Sequence, residues 1–329
     1  MRLARRRFLQ LSALALPTLA ALPCRAQAQA WPARPIKIVV GFPPGGPNDI
    51  LARLVAEWLT ARLSQKVEVE NIASSDDATA AVAHAPADGY TLLLIGPSNA
   101  IEATLPRSGD FKSRDFEFRR DLMPVAGITR EALAMVVHPS VPAKTLEDFF
   151  NYAHANPGKV KLAVTNRGTA PQVTGELFRT MSGLDLVAMP FAGGPLALRA
   201  VVAGEVVAVF QPLSAAIGPI RDGKVRALAV TTADHAAALP DVPPMADYLS
   251  DFEASAVTGI AAPRATPADI VARLNREINA AYADAAMAKR FADTGGEVLA
   301  GTSAEFGALF GAEMAKWARL LRLSGAVPR

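Results

Sequence analysis

The segment Gly41-Phe-Pro-Pro-Gly-Gly-Pro-Asn-Asp49 carries the strongest chemical signal in the sequence. Its glycines leave backbone N–H groups uncovered, and Asn48 and Asp49 are good helix N-caps. It lies between a strand-like run, Pro35 to Gly41, and an amphipathic helical pattern from Ile50 to Leu63. At such a junction an open α/β sheet holds its ligands, and the helix N-terminus favours an anion. No Lys-Ser or Lys-Thr follows and the spacing is not GxGxxG, so a nucleotide loop is not indicated. An ordinary strand-to-helix turn is the alternative reading.

Three further segments repeat this logic. Gly96-Pro-Ser-Asn-Ala100 follows a strand at Tyr90 to Ile95, and Ser98 and Asn99 can bond an anion or cap a helix. Thr165-Asn-Arg-Gly-Thr-Ala-Pro171 holds the corresponding place later in the chain, where Arg167 either pairs with a carboxylate or stays solvated. Phe191-Ala-Gly-Gly-Pro195 again joins a strand to a helix through a Gly-Gly turn. Several such loops facing one cleft form a binding site without catalytic machinery. His84, His138, His154 and His235 are scattered without metal-ligand spacing, and no GxSxG elbow occurs. No enzyme, metal site or cofactor is therefore expected.

The elements that must position these loops alternate. Strands are expected at Val67–Glu70, Leu122–Ile128, Ala132–Val137, Lys161–Thr165, Leu186–Met189, Val206–Phe210, Ala227–Thr231 and Val257–Ala262. Helices are expected at Ala78–Ala85, Leu146–His154, Thr174–Met181, Leu196–Val202, Pro267–Ala283, Ala285–Thr294 and Ser303–Ser324. Pro106 to Arg120 reads as polar and irregular. Strands alternating with helices imply an α/β architecture with parallel sheets, in two lobes, the last helices packing back on the first.

Composition supports a packed protein: hydrophobic residues make up 51% and charged residues 20%. The net charge of +3 misleads, because five basic residues and no acidic one lie in positions 1–30. The rest of the chain carries 29 basic against 31 acidic residues, a balance of −2, which offers nothing to nucleic acid. Positions 1–30 read as a signal peptide: a basic start, an apolar run from Phe8 to Leu22, then small residues that fit cleavage after Ala28 or Ala30. Arg5-Arg6-Arg7-Phe8-Leu9 resembles a twin-arginine export motif. The run is too short to span a bilayer, and Pro17 interrupts it. The only cysteine, Cys24, lies within this leader, so disulfides are not expected.

Longer stretches carry a family resemblance. Trp31 to Asp49, Ala85-Pro-Ala-Asp-Gly-Tyr-Thr-Leu-Leu93, His138-Pro-Ser-Val-Pro-Ala-Lys-Thr-Leu146 and Gly223-Lys-Val-Arg-Ala-Leu-Ala-Val230 resemble the receptors of tripartite tricarboxylate transporters, the Bug family. Asn156-Pro-Gly158, Gly175-Glu-Leu-Phe178, Leu239-Pro-Asp-Val-Pro243 and Ala262-Pro263 continue the likeness. The resemblance implies a type II periplasmic-binding-protein fold, two α/β lobes with a hinge and a ligand cleft between them. It implies lobe one at 31–129 and 251–329 and lobe two at 130–250. It also implies a periplasmic, monomeric receptor that captures a small organic acid or amino-acid-like ligand for membrane permease subunits. By matching position, the contacts would be Phe42, Pro44, Gly45, Asp49, Ser98 and Asn99 in lobe one. In lobe two they would be Asn166, Thr169, Phe191, Gly193 and Gly194.

Three departures qualify this expectation. Asn71-Ile-Ala-Ser-Ser-Asp-Asp77 stands where the family carries a glycine-rich turn, Glu102 lies where it tends to have Asn-Pro nearby, and Gln211 replaces a frequent Asp. If Asp76, Asp77 or Glu102 faces the cleft, a dicarboxylate is repelled and an amino-bearing or less charged acid is favoured. Two other functions remain open: a sensor domain feeding a signalling partner, and an exported enzyme on the same scaffold.

Overall fold

The computed structural model describes residues 31–105 and 116–325. The leader with its twin-arginine motif, and most of the irregular segment after Pro106, lie outside the described residues. In chain order the elements are β1 (Ile36–Val40), α1 (Pro47–Leu63), β2 (Val67–Asn71), α2 (Ser75–Ala83), β3 (Thr91–Ile95), α3 (Pro97–Glu102), α4 (Phe118–Asp121), β4 (Leu122–Val137), α5 (Leu146–Ala155), β5 (Val160–Val164) and α6 (Ala170–Ser182). Then follow β6 (Leu186–Pro190), α7 (Gly194–Val202), β7 (Ala208–Pro212), α8 (Leu213–Arg221), β8 (Arg226–Val230), β9 (Ser255–Pro263), α9 (Ala268–Ala283), α10 (Ala285–Asp293), β10 (Glu297–Val298) and α11 (Ser303–Ser324).

The strands run β2-β1-β3-β9-β4-β7-β5-β6, with β8 and β10 also paired to β4. Strands β1, β2 and β3 are mutually parallel, as are β5, β6 and β7. Strand β9 runs antiparallel to β3, and β4 runs antiparallel to β9, β7, β8 and β10. Two parallel sheets are thus joined through one long antiparallel pair.

That pair corrects the sequence reading. Two short strands were expected on either side of Thr129-Arg-Glu131, but β4 runs unbroken from Leu122 to Val137. The polar residues do not break it because each has a partner. Thr129 and Thr258 share a hydroxyl hydrogen bond of 2.9 Å, Arg130 reaches Glu313, and Glu131 accepts from the Ser214 N–H. Helix α8, which no sequence pattern assigned, fills the stretch after β7 and carries Pro219 inside it. Helix α3 begins at Pro97, where Ser98 and Asn99 were expected to bond an anion or cap a helix.

Helices α1, α9 and α10 cover one face of the first sheet, through Leu51, Val55, Leu59, Leu274, Ile278 and Phe291. Helix α11 does not pack on the first sheet alone, as expected of the last helices. It lies against α3, β4 and α6 together, and Thr180 of α6 donates to the Ser324 carbonyl at its end. Phe306, Phe310, Met314, Trp317 and Leu321 recur at helical spacing and are buried. Each such side chain contributes about 1.5–3 kcal/mol on leaving water. No helix among the described residues is long and apolar enough to cross a membrane.

Candidate functional site

The register of β4 brings two sets of loops face to face. The first sheet's strands end at its carboxyl edge where Ile95 pairs Gly259, which in turn pairs Gly127. The second sheet's strands run the opposite way and end where Pro212 pairs Leu133. Gly127 and Leu133 are six residues apart on one strand, about 20 Å at roughly 3.3 Å per residue. The carboxyl edges of both sheets therefore face each other across β4 and β9. The loops after β1, β3, β5, β6 and β7 all lie on those edges.

In the loop after β1, Gly41 lies against α2: an added Cβ would stand 2.6 Å from Ser75 Cα. Gly45 adopts φ +83°, a left-handed conformation that suits glycine. Its N–H donates to Asp49 Oδ2 at 2.8 Å, while Arg53 Nε donates to the same oxygen at 2.9 Å. Asn71 Nδ2 donates to Asp49 Oδ1 and to the Phe42 carbonyl, both at 3.0 Å. Asp49 is thus buried beneath the loop with both oxygens engaged inside the chain. Burial by itself raises its carboxyl pKa, yet the hydrogen bonds from Arg53, Gly45 and Asn71 hold it below the ordinary value. Phe42 leans on the core, and Pro44 and Gly45 are exposed.

The loop after β3 has the same design. Asn99 accepts from the Gly96 N–H at 2.8 Å and donates to Ser75 Oγ and Thr79 Oγ1 at 3.2 and 2.9 Å. Its amide is spent on fixing the turn. Ser98 is buried beside it. Asn48 reaches this loop from the neighbouring one, its side-chain atoms 3.6 and 3.9 Å from where a Gly96 Cβ would stand. Asp77 is exposed in the first turn of α2, and its N–H is capped by Ser74. Glu102 accepts from Ser75 Oγ at 2.9 Å and lines a small cavity with Thr79, Phe116 and Phe118 between α2, α3 and α4.

On the second edge, Thr169 bonds the Thr165 hydroxyl and the Asn166 carbonyl, each at 2.7 Å, instead of capping α6. Asn166 and Arg167 are exposed. The Phe191 N–H donates to the Val164 carbonyl, tying the loop after β6 to β5. Gly193 has φ +110°, and Gly194 receives a 3.1 Å hydrogen bond on its carbonyl from the buried Gln211.

Four helices on these edges, α1, α3, α6 and α7, carry Pro in the first two positions, where no intrahelical donor is lost. None of the four has a side-chain N-cap bond. A side chain of the first turn instead takes a flanking N–H: Asn99 that of Gly96 at α3, Asp49 that of Gly45 at α1 and Gln172 that of Gly168 at α6. Helix N-termini without a side-chain cap favour anions. Of the predicted contacts, Phe42, Pro44, Gly45 and Ser98 gather on one edge, and Asn166, Thr169, Phe191, Gly193 and Gly194 on the other. Asp49 and Asn99 lie beneath them as buttresses.

The strand crossing between the edges contributes residues the sequence reading did not single out. Successive strand side chains alternate faces. Arg130 turns to Glu313 at 3.3 Å, within a network that continues through Lys316 to Glu253. Glu131 turns the other way, is buried, and accepts at 2.8 Å from the N–H of Ser214 in the first turn of α8. A glutamate inside an apolar strand run was the available signal. Among the described residues, His138 Nδ1 lies 2.7 Å from Ser140 Oγ, in an exposed turn at the far end of β4. Among the described residues no cluster of metal ligands occurs.

Residues 51–325 match the family described as tripartite tricarboxylate transporter family receptor. Protein BugT of Bordetella pertussis is 33% identical over 302 residues, covering 91% of this chain and 92% of that protein. Among solved structures, R. palustris Rpa4515 with adipate aligns at a TM-score of 0.82 and 29% identity, covering 91% of this chain and 100% of that one. MatC from Rhodopseudomonas palustris with bound malate aligns at 0.77 and 29% identity, covering 88% and 99%.

Proposed function

This chain belongs to the tripartite tricarboxylate transporter receptor family, and on that premise we propose that it captures a small carboxylate in the periplasm and hands it to a membrane permease. Its fold is the two-part α/β fold of periplasmic binding proteins, with β4 and β9 joining the parts. The observation that carries the reading is the set of uncapped N-termini of α1, α6 and α7 on facing sheet edges. Backbone N–H groups there hold a carboxylate without a reactive side chain. The adipate of Rpa4515 and the malate of MatC support an acid of this size.

In this reading Phe42, Pro44, Gly45 and Ser98 meet one side of the ligand, and Asn166, Thr169, Phe191, Gly193 and Gly194 the other. Residues 31–129 with 251–329 form one lobe and 130–250 the second, and a ligand touching both shifts the population toward a closed form. The protein acts as a monomer, binds without turnover, and is exported through the twin-arginine leader at 1–30. A thermal-shift panel of mono-, di- and tricarboxylates and acidic amino acids tests the reading. A ligand at a hundred times its Kd stabilises the folded state by about 2.7 kcal/mol. If none of these acids raises the melting temperature, the receptor assignment fails.

A further inference from the structure

A helix N-terminus favours an anion, and at α8 the chain itself supplies a carboxylate. Strand β4 crosses between the two sheets, and Glu131 stands within that crossing. Its Oε2 accepts from Ser214 N at 2.8 Å, so the carboxylate is seated at the N-terminus of α8, directly after the carboxyl end of β7. No cation pairs with it among the described residues. Arg130, the next residue on the strand, is committed to Glu313 on the opposite face. Across from Glu131 β9 places Ala256, α8 places Ser214, and β10 places the exposed Glu297 opposite Arg130. An uncompensated carboxylate in a water-poor interior repels anions nearby.

We propose that Glu131 sets the charge limit of the receptor, because its carboxylate occupies the one helix end on the crossing strand where a further ligand carboxylate would sit. This rests on the carboxylate-receptor reading above. The open ends of α1, α6 and α7 remain for the ligand, and a third carboxylate near β4 meets Glu131 instead of free N–H groups. Mono- and dicarboxylates are accepted and tricarboxylates discriminated against. Burial, which raises the Glu131 carboxyl to about 7 against the Ser214 hydrogen bond, makes this repulsion dependent on pH near neutrality.

Calorimetric titration of wild type and Glu131→Gln with butyrate, adipate and propane-1,2,3-tricarboxylate at about pH 8 tests it. The amide oxygen of Gln still accepts from Ser214 while the charge is lost. The variant should bind the tricarboxylate about tenfold more tightly than wild type does, with a smaller gain for adipate and the smallest for butyrate. If wild type binds adipate but the variant leaves the ranking of the three acids unchanged, the inference falls and the receptor reading stands. If wild type binds none of them, both fall. Should the variant not fold, the wild-type ratio of adipate to butyrate affinity decides, since both acids stay ionised from about pH 6.5 to 8.5. That ratio should decline as pH rises and Glu131 ionises, and a flat ratio overturns the inference.

Discussion

Gln211 donates from Nε2 to the carbonyl oxygen of Gly194 at 3.1 Å, and a Cβ added to Gly194 would stand 2.8 Å from Gln211 Oε1. The loop after β6 is therefore held by a neutral side chain whose amide must shift if residue 194 gains a Cβ. Gly194→Ala should displace Gln211 and weaken ligand affinity, on the order of tenfold, through the misplaced α7 N-terminus. Gln211→Ala should also weaken binding, but the double variant should lose less than the two effects combined, because the clash is gone. Additive losses in a double-mutant cycle of Kd would show that the two residues act separately.

Asp49 is tied to Gly45, Arg53 and Asn71, so Asp49→Ala should destabilise the fold by about 2–3 kcal/mol and loosen the loop after β1. The depressed folded-state pKa gives the sign with pH. The stabilisation is present above the ordinary carboxyl value of 3.8 and is lost as pH falls through the folded value. Urea midpoints of wild type and variant should therefore converge in acid. A gap as wide at about pH 3 as at neutrality would contradict this.

Gly259 lies where β3, β9 and β4 meet, and a Cβ there would stand 2.1 Å from the Phe306 ring and 2.5 Å from the Ala126 carbonyl oxygen. Gly259→Ala should cost about 3 kcal/mol or more, as overpacking against backbone cannot relax. Phe306→Leu should recover only part of the loss, since the Ala126 contact persists. Full recovery in chemical denaturation would show that the ring alone excludes a side chain.

Glu131 predicts a stability trend of opposite sign to Asp49. Its folded pKa is raised from 4.5 to about 7, so the folded state binds the proton more tightly than the unfolded chain. The protonated form contributes stability that is whole below about 4.5 and is lost as pH rises to about 7, on the order of 3 kcal/mol. Glu131→Gln should be more stable than wild type above neutrality and should flatten this slope. Parallel stability curves for the two proteins between pH of about 5 and 8 would refute the assignment.

Much of the fold could be read before the structure because periodicity is local. Strands β1, β2, β3, β5 and β6, and helices α5, α9, α10 and α11, lie within a residue or two of their expected spans. The misses share a cause. Thr129-Arg-Glu131 looks like a break until Thr258, Glu313 and Ser214, all distant in sequence, supply partners. Helix α8 contains Gly218 and Pro219, which weaken its local signal, and packing holds it. The strand-to-helix loops were legible from glycine and proline alone, whereas the hydrogen bonds of Asp49 to Gly45 and of Asn99 to Gly96 were not, because they depend on the folded turn.

What the residues by themselves determined is the set of strand-to-helix turns, because glycine and proline act on their own backbone and need no distant partner. The family membership was equally legible, being carried by contiguous motifs. Only the tertiary structure decided which helix ends stay open. These contacts join residues from different elements, so Glu131 closing α8, and Asn71 bracing Asp49 under a loop that leaves α1 uncapped, follow from strand register and packing.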